Sequence, residues 1–303
     1  MPEDVPNPME AKIKPQELIQ RVITYADARK AGEQPLMTDI SGFSVVRSRA
    51  PTTMAPVLFQ PIFCLVLQGA KQAYMGDRLV TFGEMDSVII SFDLPTLARI
   101  VRASRTEPYV ALALKLDMAM LRELAAEMDY SPGERGDAIA TAEAGGAVVE
   151  AMGRLFGLLE KPEAARVLTP LLLREIHYWM LSAEHGAMLR TLVRADSHAA
   201  RIARATVMIQ QNYAAPLRVA DLARAAGMSH SAFHEHFKAI TGTTPVQYQK
   251  LLRLMEARRL ILTGEHSISS AAFTVGYESP NQFSREYSRQ FGAPPRNDVA
   301  AHL

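Results

Sequence analysis

The last 85 residues of this 303-residue chain contain one helical unit twice, and this repeat constrains the fold more than any other feature of the sequence. Each copy has two aromatic residues four positions apart, followed by a glycine and a proline. Side chains four positions apart lie on the same face of an α-helix, so each copy predicts a helix with one buried aromatic face. The matching positions, displaced by 50, are Phe233 and Phe283, Phe237 and Tyr287, Gly242 and Gly292, and Pro245 and Pro295.

A second, shorter helix is predicted upstream of each aromatic pair. Its small residue, Ala223 or Ala272, allows close packing against the next helix. A glycine four positions later, Gly227 or Gly276, permits the left-handed backbone of a tight turn. Each copy is therefore predicted to be a helix-turn-helix, whose second helix turns its aromatic side chains inward and its other face to solvent.

The solvent faces of the two second helices are rich in side chains that hydrogen-bond base edges or phosphate oxygens. We predict that both faces contact double-stranded DNA in a major groove. His236 is expected to pack or cap instead, and the aromatic residues are expected to remain core. The predicted contacts are His230, Ser231, His234, Glu235 and Lys238 in the first copy and Asn281, Gln282, Ser284, Arg285 and Arg289 in the second.

One uninterrupted helix, Pro245–Leu262, is predicted between the two copies. Its 18 residues span about 27 Å, near the roughly 34 Å that separates successive major-groove faces. A rigid spacer of this length lets one chain bring two recognition helices to adjacent grooves. Basic residues on the spacer are predicted to contact phosphates without reading sequence. These residues are Lys250, Arg253, Arg258 and Arg259.

The overall charge is almost balanced, at +1 from 33 basic and 32 acidic residues. Residues 199–303 contain 12 Lys and Arg against 7 Asp and Glu, a net +5, which leaves 21 against 25, a net −4, for residues 1–198. A basic half beside an acidic half indicates nucleic-acid contact on the basic side. A modest +5 also favours placed, sequence-reading contacts over general attraction to DNA.

The residues before the basic region predict a different architecture. Between Gly42 and Leu114, short runs rich in β-branched and aromatic residues alternate with turn signals, which is typical of a β-sandwich or jelly-roll barrel. From Asp117, a predicted helix cap, the chain is expected to be helical. The predicted strands are 43–49, 62–68, 71–75, 78–82, 87–91, 96–103 and 109–114, and the predicted helices are 15–31, 118–128, 141–160, 163–182, 188–193 and 199–212.

These patterns together predict an α+β chain with two domains. The first is a jelly-roll β-barrel with helices, and the second is an all-α domain with two helix-turn-helix motifs joined by a linker helix. The predicted boundaries are 1–14 for a disordered tail, 15–195 for the barrel domain with its helical extension, and 199–303 for the DNA-binding domain.

Catalysis is not expected in the barrel domain. All eight histidines lie in the last 127 residues, whereas metal-dependent enzymes built on such a barrel bind iron, manganese or zinc through clustered histidines and a carboxylate. The single cysteine, Cys64, lies in an apolar run and is interpreted as a buried residue. No metal, cofactor or catalytic residue is predicted. The stretch Arg174–Leu181, which contains the only tryptophan, fits a dimer helix or simple core equally well.

The sequence also carries no sign of a membrane partner. The first eight residues are acidic and proline-rich, unlike a secretory signal. No stretch approaches the about 18 uninterrupted apolar residues that a membrane helix needs. A soluble, cytoplasmic protein is expected.

The repeat resembles the DNA-binding domain of the AraC/XylS family of bacterial transcription regulators. The stretch Val275–Tyr287, followed by Phe291–Pro295, is similar to the most characteristic segment of that family. The upstream region, including Gln68–Lys71 and Ser91–Pro95, resembles the cupin-like sensor domain of one subgroup. The resemblance implies a sequence-specific regulator, expected to be an activator that works with RNA polymerase. It also implies that the barrel senses a small-molecule effector or forms a homodimer.

One position departs from the family pattern. The subgroup usually has a basic residue where this chain has Glu235, and an acidic side chain repels phosphate, so altered or weaker readout by the first copy is expected. Two alternatives stay open. A cupin-like enzyme with an appended DNA-binding module would need catalytic groups in the barrel, and an architectural protein would bind DNA with little sequence preference.

Overall fold

The computed structural model describes residues 15–32, 34–76, 78–128, 138–194 and 196–300. The predicted disordered tail at 1–14 lies outside these residues. The chain up to residue 194 forms two antiparallel sheets with flanking helices, and the chain from residue 198 is helical. The predicted α+β class with two domains is therefore confirmed.

Two antiparallel sheets pack face to face in the first domain. Their strands are β1 Leu36–Met37, β2 Phe43–Ser48, β3 Ala55–Phe59, β4 Ile62–Gln68, β5 Ala70–Met75, β6 Arg78–Phe82, β7 Asp86–Ile90, β8 Leu94–Arg102, β9 Tyr109–Lys115 and β10 Ile139–Glu143. The larger sheet has the order β1-β2-β9-β4-β7-β10, and the smaller has the order β3-β8-β5-β6. Successive side chains of β4 alternate between the faces, so Phe63 packs toward the helices while Cys64 faces the smaller sheet.

The helices begin and end at positions that the sequence marks. Asp117 caps the helix that follows it, as predicted, because its carboxylate accepts the N–H groups of Ala119 and Met120 at 2.9 and 3.0 Å. The predicted helix Pro245–Leu262 is confirmed over the same residues. The helices are α1 Pro15–Ala28, α2 Met118–Glu127, α3 Gly146–Gly157, α4 Pro162–Ser182, α5 Gly186–Val193, α6 His198–Gln211, α7 Val219–Ala225, α8 His230–Thr241, α9 Pro245–Leu262, α10 Ile268–Thr274, α11 Pro280–Phe291 and α12 Pro295–Ala300, with a 3₁₀ turn at Leu158–Glu160.

Three buried clusters hold these elements together. The first lies between the outer face of the larger sheet and helices α1 to α5. The second fills the space between the two sheets and continues into α6, α7, α8 and the first half of α9. The third joins the second half of α9 to α10 and α11. The first helix-turn-helix therefore shares a core with the sheets, whereas the second has its own.

The structure differs from the predicted secondary structure at three strands, of which the two-residue β1 was not predicted. Residues 139–143, which the predicted helix 141–160 partly included, form β10 and pair with β7 at the edge of the larger sheet. Small and polar residues alternate in this segment and fit a helix or a strand, and the pairing with β7 selects the strand. Strand β3 was not predicted because Pro56 interrupts its apolar run. It pairs with β8 alone, at a sheet edge where proline is tolerated.

Cys64, which was interpreted as a buried residue, is half-buried and packs against the cluster between the two sheets. Burial raises the pKa of the Cys64 thiol to about 11, which keeps it protonated near neutral pH. No group of three or more His, Cys, Asp or Glu side chains in the described ranges is arranged to hold a metal ion. None of the helices in the same ranges is long and apolar enough to cross a membrane.

Candidate nucleic-acid interface

The two helix-turn-helix motifs are built by the same local devices. Ser229 caps α8 and Ser279 caps α11, each hydroxyl accepting the backbone N–H three residues further on. Gly242 and Gly292 end these helices in the left-handed conformation, with φ of 76° and 77°. The second helix of each copy therefore begins with the same kind of serine cap and ends at the same kind of left-handed glycine. We call α8 and α11 the recognition helices.

Aromatic side chains fix the buried face of both recognition helices. Phe233 and Phe237 on α8, and Phe283 and Tyr287 on α11, are fully buried. The ring centroids lie 5.6 Å apart in the first pair and 5.4 Å apart in the second. The predicted core role of these residues is confirmed, and the opposite face of each helix is left to solvent.

The residues of α8 predicted to contact DNA lie on its solvent side. Ser231, Glu235 and Lys238 are exposed, and half-buried His234 stacks on exposed His230 with ring centroids 4.6 Å apart. These five side chains form one accessible surface at and beyond the helix N-terminus.

His236, which was expected to pack or cap, packs. Its ring lies 3.8 Å, centroid to centroid, from the ring of His198 on α6. Burial and the neighbouring His198 lower the pKa of His236. This contact joins recognition helix α8 to the helix that enters the second domain.

The predicted residues of α11 also lie on its solvent side. Asn281, Gln282, Arg285 and Arg289 are exposed, and Ser284 is half-buried. Asn281, Arg285 and Arg289 follow each other at intervals of four and form a single stripe along the helix. Neither arginine of the stripe makes an ion pair with a residue that the structure describes, so both are available to an external anion.

The equivalent stripe on α8 carries a different charge. The displacement of 50 matches Ser231 with Asn281, Glu235 with Arg285, and Ala239 with Arg289. The α11 stripe thus has two cations where the α8 stripe has a carboxylate and a methyl group. Because phosphate attracts guanidinium and repels carboxylate, the exposed faces of the two helices differ in their attraction for an anionic partner.

Of the linker residues predicted to contact phosphate, Lys250 pairs with recognition helix α11. Its Nζ lies 3.1 Å from Oε1 of Glu286, and the Tyr277 hydroxyl donates to Oε2 at 2.8 Å. Although burial opposes the effect, hydrogen bonds from Tyr277, Lys250 and Gln282 lower the pKa of Glu286. Glu286 therefore stays ionised and ties α11 to α9.

Arg253, a second predicted phosphate contact, has internal hydrogen-bond partners. Its Nε donates to the Tyr213 carbonyl at 2.7 Å, and its terminal nitrogens donate to the carbonyls of Ala214, Ala215 and Gly276 at 3.1, 3.0 and 2.9 Å. These bonds join α9 to the loop before the first motif and to the turn of the second. The guanidinium therefore donates to four internal carbonyl groups, and a phosphate contact by Arg253 stays a prediction.

Arg258, a third predicted phosphate contact, also has an internal partner. Its Nε and Nη2 donate to the Asp298 carboxylate at 2.6 and 3.0 Å, and the side chains are only 17% and 9% exposed. The Tyr287 hydroxyl donates to the same carboxylate. Arg258 thus anchors α12 to α9. Arg259, in contrast, is exposed and pairs with Glu256.

The first helix-turn-helix contacts the sheet domain directly, which the sequence did not predict. The Ala138 N–H donates to the Ile240 carbonyl, near the end of α8, at 3.1 Å. Gly242 packs on Gly76 in the β5–β6 turn so closely that a Cβ added to Gly242 would lie 2.6 Å from the Gly76 nitrogen. Two backbone segments that are distant in sequence therefore meet without intervening side chains.

Buried side chains extend this contact. Phe237 of α8 and Tyr248 of α9 belong to the same apolar cluster as Phe92 and Leu94 of the sheet domain. The Tyr248 hydroxyl donates to the backbone carbonyl of Asp93, which precedes β8. The sheet domain thus holds one recognition helix near its C-terminal end.

The comparisons with known proteins agree with this arrangement. Residues 39–188 match the family model described as AraC-type transcriptional regulator N-terminus, and residues 222–299 match a helix-turn-helix domain model. The chain belongs to the AraC/XylS family of DNA-binding transcription regulators.

Among curated relatives, the chain is 27% identical to the virulence regulon transcriptional activator VirF of Yersinia enterocolitica over 146 residues. These aligned residues make up 48% of this chain and 54% of VirF. It is 28% identical to the transcriptional activator RhaS of Escherichia fergusonii over 144 residues, and these residues make up 47% of this chain and 51% of RhaS. The chain spans about half the length of the curated relatives it matches. The crystal structure of apo ToxT from Vibrio cholerae superposes with a TM-score of 0.56 at 10% identity, over 88% of this chain and 100% of ToxT, and so shares the fold.

Proposed function

We propose that the chain is a sequence-specific transcription regulator, acting as an activator, whose two recognition helices enter successive major grooves. The observation that carries this proposal is the pair of capped recognition helices with buried aromatic faces and polar outer faces, joined by α9. The about 27 Å length of α9 supports it, because successive grooves on one side of B-DNA lie roughly 34 Å apart. The net +5 of residues 199–303 adds the expected attraction to phosphate.

In this proposal α11 is the stronger reader. Arginine pairs with O6 and N7 of guanine, and asparagine pairs with N6 and N7 of adenine, so the Arg285 and Asn281 pair is suited to direct base readout. Arg289 extends the stripe toward the phosphates. On α8, Ser231 and His234 remain candidate base contacts, and Glu235 accepts from a cytosine amino group or faces away from phosphate.

We propose further that a small-molecule effector in the sheet domain regulates DNA binding. The contact between the domains through Ile240 and Gly242 supports regulation by such an effector, because a shift of the β5–β6 turn would displace the end of α8. A ligand that favours one arrangement of the two domains shifts the population of DNA-competent molecules. ToxT, which shares the fold, has been crystallised bound to an unsaturated fatty acid.

A homodimer through α4 is the proposed assembly. Val167 and Leu171 on this helix are 68% and 62% exposed, and Leu168 and Tyr178 extend the same apolar stripe. Arg174 and Glu175 beside the stripe are already paired with Glu127 and Arg154 of the same chain. A second copy therefore meets an apolar surface with no net charge to repel it, which suits a two-fold interface. The stretch Arg174–Leu181 itself contributes mainly core residues, with Tyr178 as its exposed member.

Regulation rather than catalysis is the role we assign to the sheet domain. Its support is the absence of histidine from the ten strands of the two sheets, although His177 and His185 lie on the flanking helical segment, and the raised pKa of its single thiol. As an activator of the family to which it belongs, the chain is proposed to act on chromosomal DNA in the cytoplasm and to engage RNA polymerase.

The two-helix proposal is tested by selecting binding sites from a random DNA pool with the full chain and footprinting the selected site with hydroxyl radicals. Two protected segments about 10 base pairs apart, on one side of the duplex, are expected. A single protected segment would contradict simultaneous use of α8 and α11. Failure to enrich any sequence would favour the architectural alternative.

A further inference from the structure

His230 and His234 form a pair on the solvent side of α8, about one helical turn apart. Side chains four positions apart lie one above the other on a helix, so both rings can face the same point in solvent. His230 is exposed and His234 is half-buried. Within the described part of the chain, neither ring has a hydrogen-bond or ion-pair partner. The ring nitrogens of the pair are therefore available to an external ligand.

The separation of the two rings matches that of two imidazoles bound to one metal ion. A zinc–nitrogen bond of about 2.0–2.1 Å places each ring centre about 3.2 Å from the ion. With an angle of roughly 90–109° between the two bonds, the ring centres then lie about 4.5–5.2 Å apart. The centroids of His230 and His234 lie 4.6 Å apart. The pair thus has the spacing of a two-histidine metal site, and no movement of the backbone is needed to form it.

The other histidine pair at α8 has a different geometry. The ring centroids of His198 and His236 lie 3.8 Å apart, which corresponds to an angle of only about 73° at a shared ion. This angle is too narrow for tetrahedral or octahedral coordination. The contact between His198 and His236 is therefore packing between α6 and α8, and only the first pair is spaced for a metal ion.

We propose that His230 and His234 bind one divalent transition-metal ion of the class of Zn²⁺ or Ni²⁺. Imidazole is a preferred ligand of both ions, and two histidines four positions apart on one helix face are a recurring zinc-binding arrangement. Among the described residues, no third histidine, cysteine or acid completes the pair. Water therefore fills the other positions on the ion, which leaves them open to exchange.

These open positions lie on the surface of α8 that the proposed function places against DNA. The same surface includes Glu235, at the position where α11 carries Arg285. A bound divalent ion adds the positive charge that α8 lacks, and a phosphate oxygen can replace one of its waters. Occupancy of the site is expected to tighten DNA binding. That consequence rests on the proposed function, whereas metal binding itself does not.

Calorimetric titration of the metal-free full chain with ZnCl₂, without DNA and at about pH 7.5, tests the site. The wild type is expected to bind one ion saturably, with a Kd in the roughly micromolar range, and to bind no Mg²⁺, which prefers oxygen ligands. His230→Ala and His234→Ala are each expected to weaken zinc binding at least about tenfold. His198→Ala, at an exposed histidine of the other pair, is the matched control and is expected to bind like the wild type.

An absence of saturable zinc binding below roughly 1 mM would overturn the proposal, as would undiminished binding by the folded His230→Ala variant. Loss of zinc binding in His198→Ala would place the ion between α6 and α8 and would equally overturn it. Because His230 is exposed, His230→Ala is expected to retain the wild-type circular dichroism spectrum. This variant therefore decides the result even if His234→Ala does not fold.

Fluorescence anisotropy with a DNA site selected by the full chain measures the consequence for DNA. Saturating zinc is expected to tighten DNA binding by the wild type at least about fivefold and to leave the affinity of His230→Ala unchanged. Equal wild-type affinity with and without zinc would contradict the effect on DNA. Failure of the chain to bind any DNA sequence would contradict the proposed function instead, and the calorimetric result would stand.

Discussion

Gly242 and Gly292 offer a matched pair of substitutions for the contact between the sheet domain and the first helix-turn-helix. Both end a recognition helix, and their φ values of 76° and 77° lie in the left-handed region. A Cβ on Gly292 would meet nothing within 4 Å, whereas a Cβ on Gly242 would lie 2.6 Å from the Gly76 nitrogen and 2.8 Å from the Met75 carbonyl carbon. Alanine at either position therefore has the same backbone strain, and only one of the two meets the sheet domain.

The expected magnitudes follow from this difference. Left-handed backbone costs an alanine about 1–2 kcal/mol, so Gly292→Ala should lower the free energy of unfolding by about that much. Forcing extra volume into packed structure typically costs about 1–3 kcal/mol more. Gly242→Ala should therefore lower the free energy of unfolding by about 2–5 kcal/mol, unless the β5–β6 turn moves away and the contact between the domains opens.

Two measurements separate these outcomes. Urea denaturation gives the free energy of unfolding of each variant, and hydrogen exchange follows the Ala138 amide, which donates to Ile240 across the contact. Gly242→Ala should lose more stability, or exchange Ala138 faster, than Gly292→Ala. Equal losses in the two variants with wild-type exchange at Ala138 would refute the close contact.

Three further predictions concern other parts of the chain. Burial lowers the pKa of His185 from 6.5 to about 4, so the unfolded chain takes up the proton at a higher pH than the folded chain. The free energy of unfolding should therefore fall by about 3 kcal/mol as the pH drops from 6.5 to 4. His185→Gln should reduce this fall in urea titrations, and an unchanged fall would show that His185 is not its source. Glu235→Arg should tighten DNA binding about fivefold by fluorescence anisotropy, the effect of one exposed ion pair, and weaker binding would mean that Glu235 faces a base donor. Leu171→Glu should convert a dimer to a monomer in light scattering, whereas Met37→Glu, at an equally exposed apolar residue on β1, should not; a dimer that survives Leu171→Glu would exclude α4 as the interface.

The helix-turn-helix repeat could be predicted in detail because its determinants are local. The bounds of α9 are set by the Thr244 cap, the proline that follows it and the Gly264 turn, all within a few residues of the helix ends. Strand β10 could not be predicted because its Ile139–Glu143 segment has no strong period of its own. Its conformation depends on pairing with β7, which lies some fifty residues earlier in the chain.

The candidate site divides in the same way. The outer faces of α8 and α11 follow from the helical period and the buried aromatic residues, so their exposed residues were predictable. The internal hydrogen bonds of Arg253 and Arg258 could not be predicted, because their partners are distant in sequence. Asp298, for example, is 40 positions from Arg258. The sequence of a helix does not show whether one of its basic side chains will bind an acid or a carbonyl group from another part of the chain. The contact between Gly76 and Gly242 is beyond local signals for the same reason.

The central claim is that the α11 stripe reads DNA sequence, and fluorescence anisotropy tests it most directly. The affinity of the full chain for a selected site and for a scrambled site is measured at one salt concentration, for wild type, Arg285→Ala and Arg122→Ala. The last variant makes the same charge change at an exposed residue of α2. Wild type and Arg122→Ala should prefer the selected site at least about 10³-fold, and Arg285→Ala should lose about 10- to 100-fold of that preference. An Arg285→Ala variant with undiminished preference for the selected site would contradict the account.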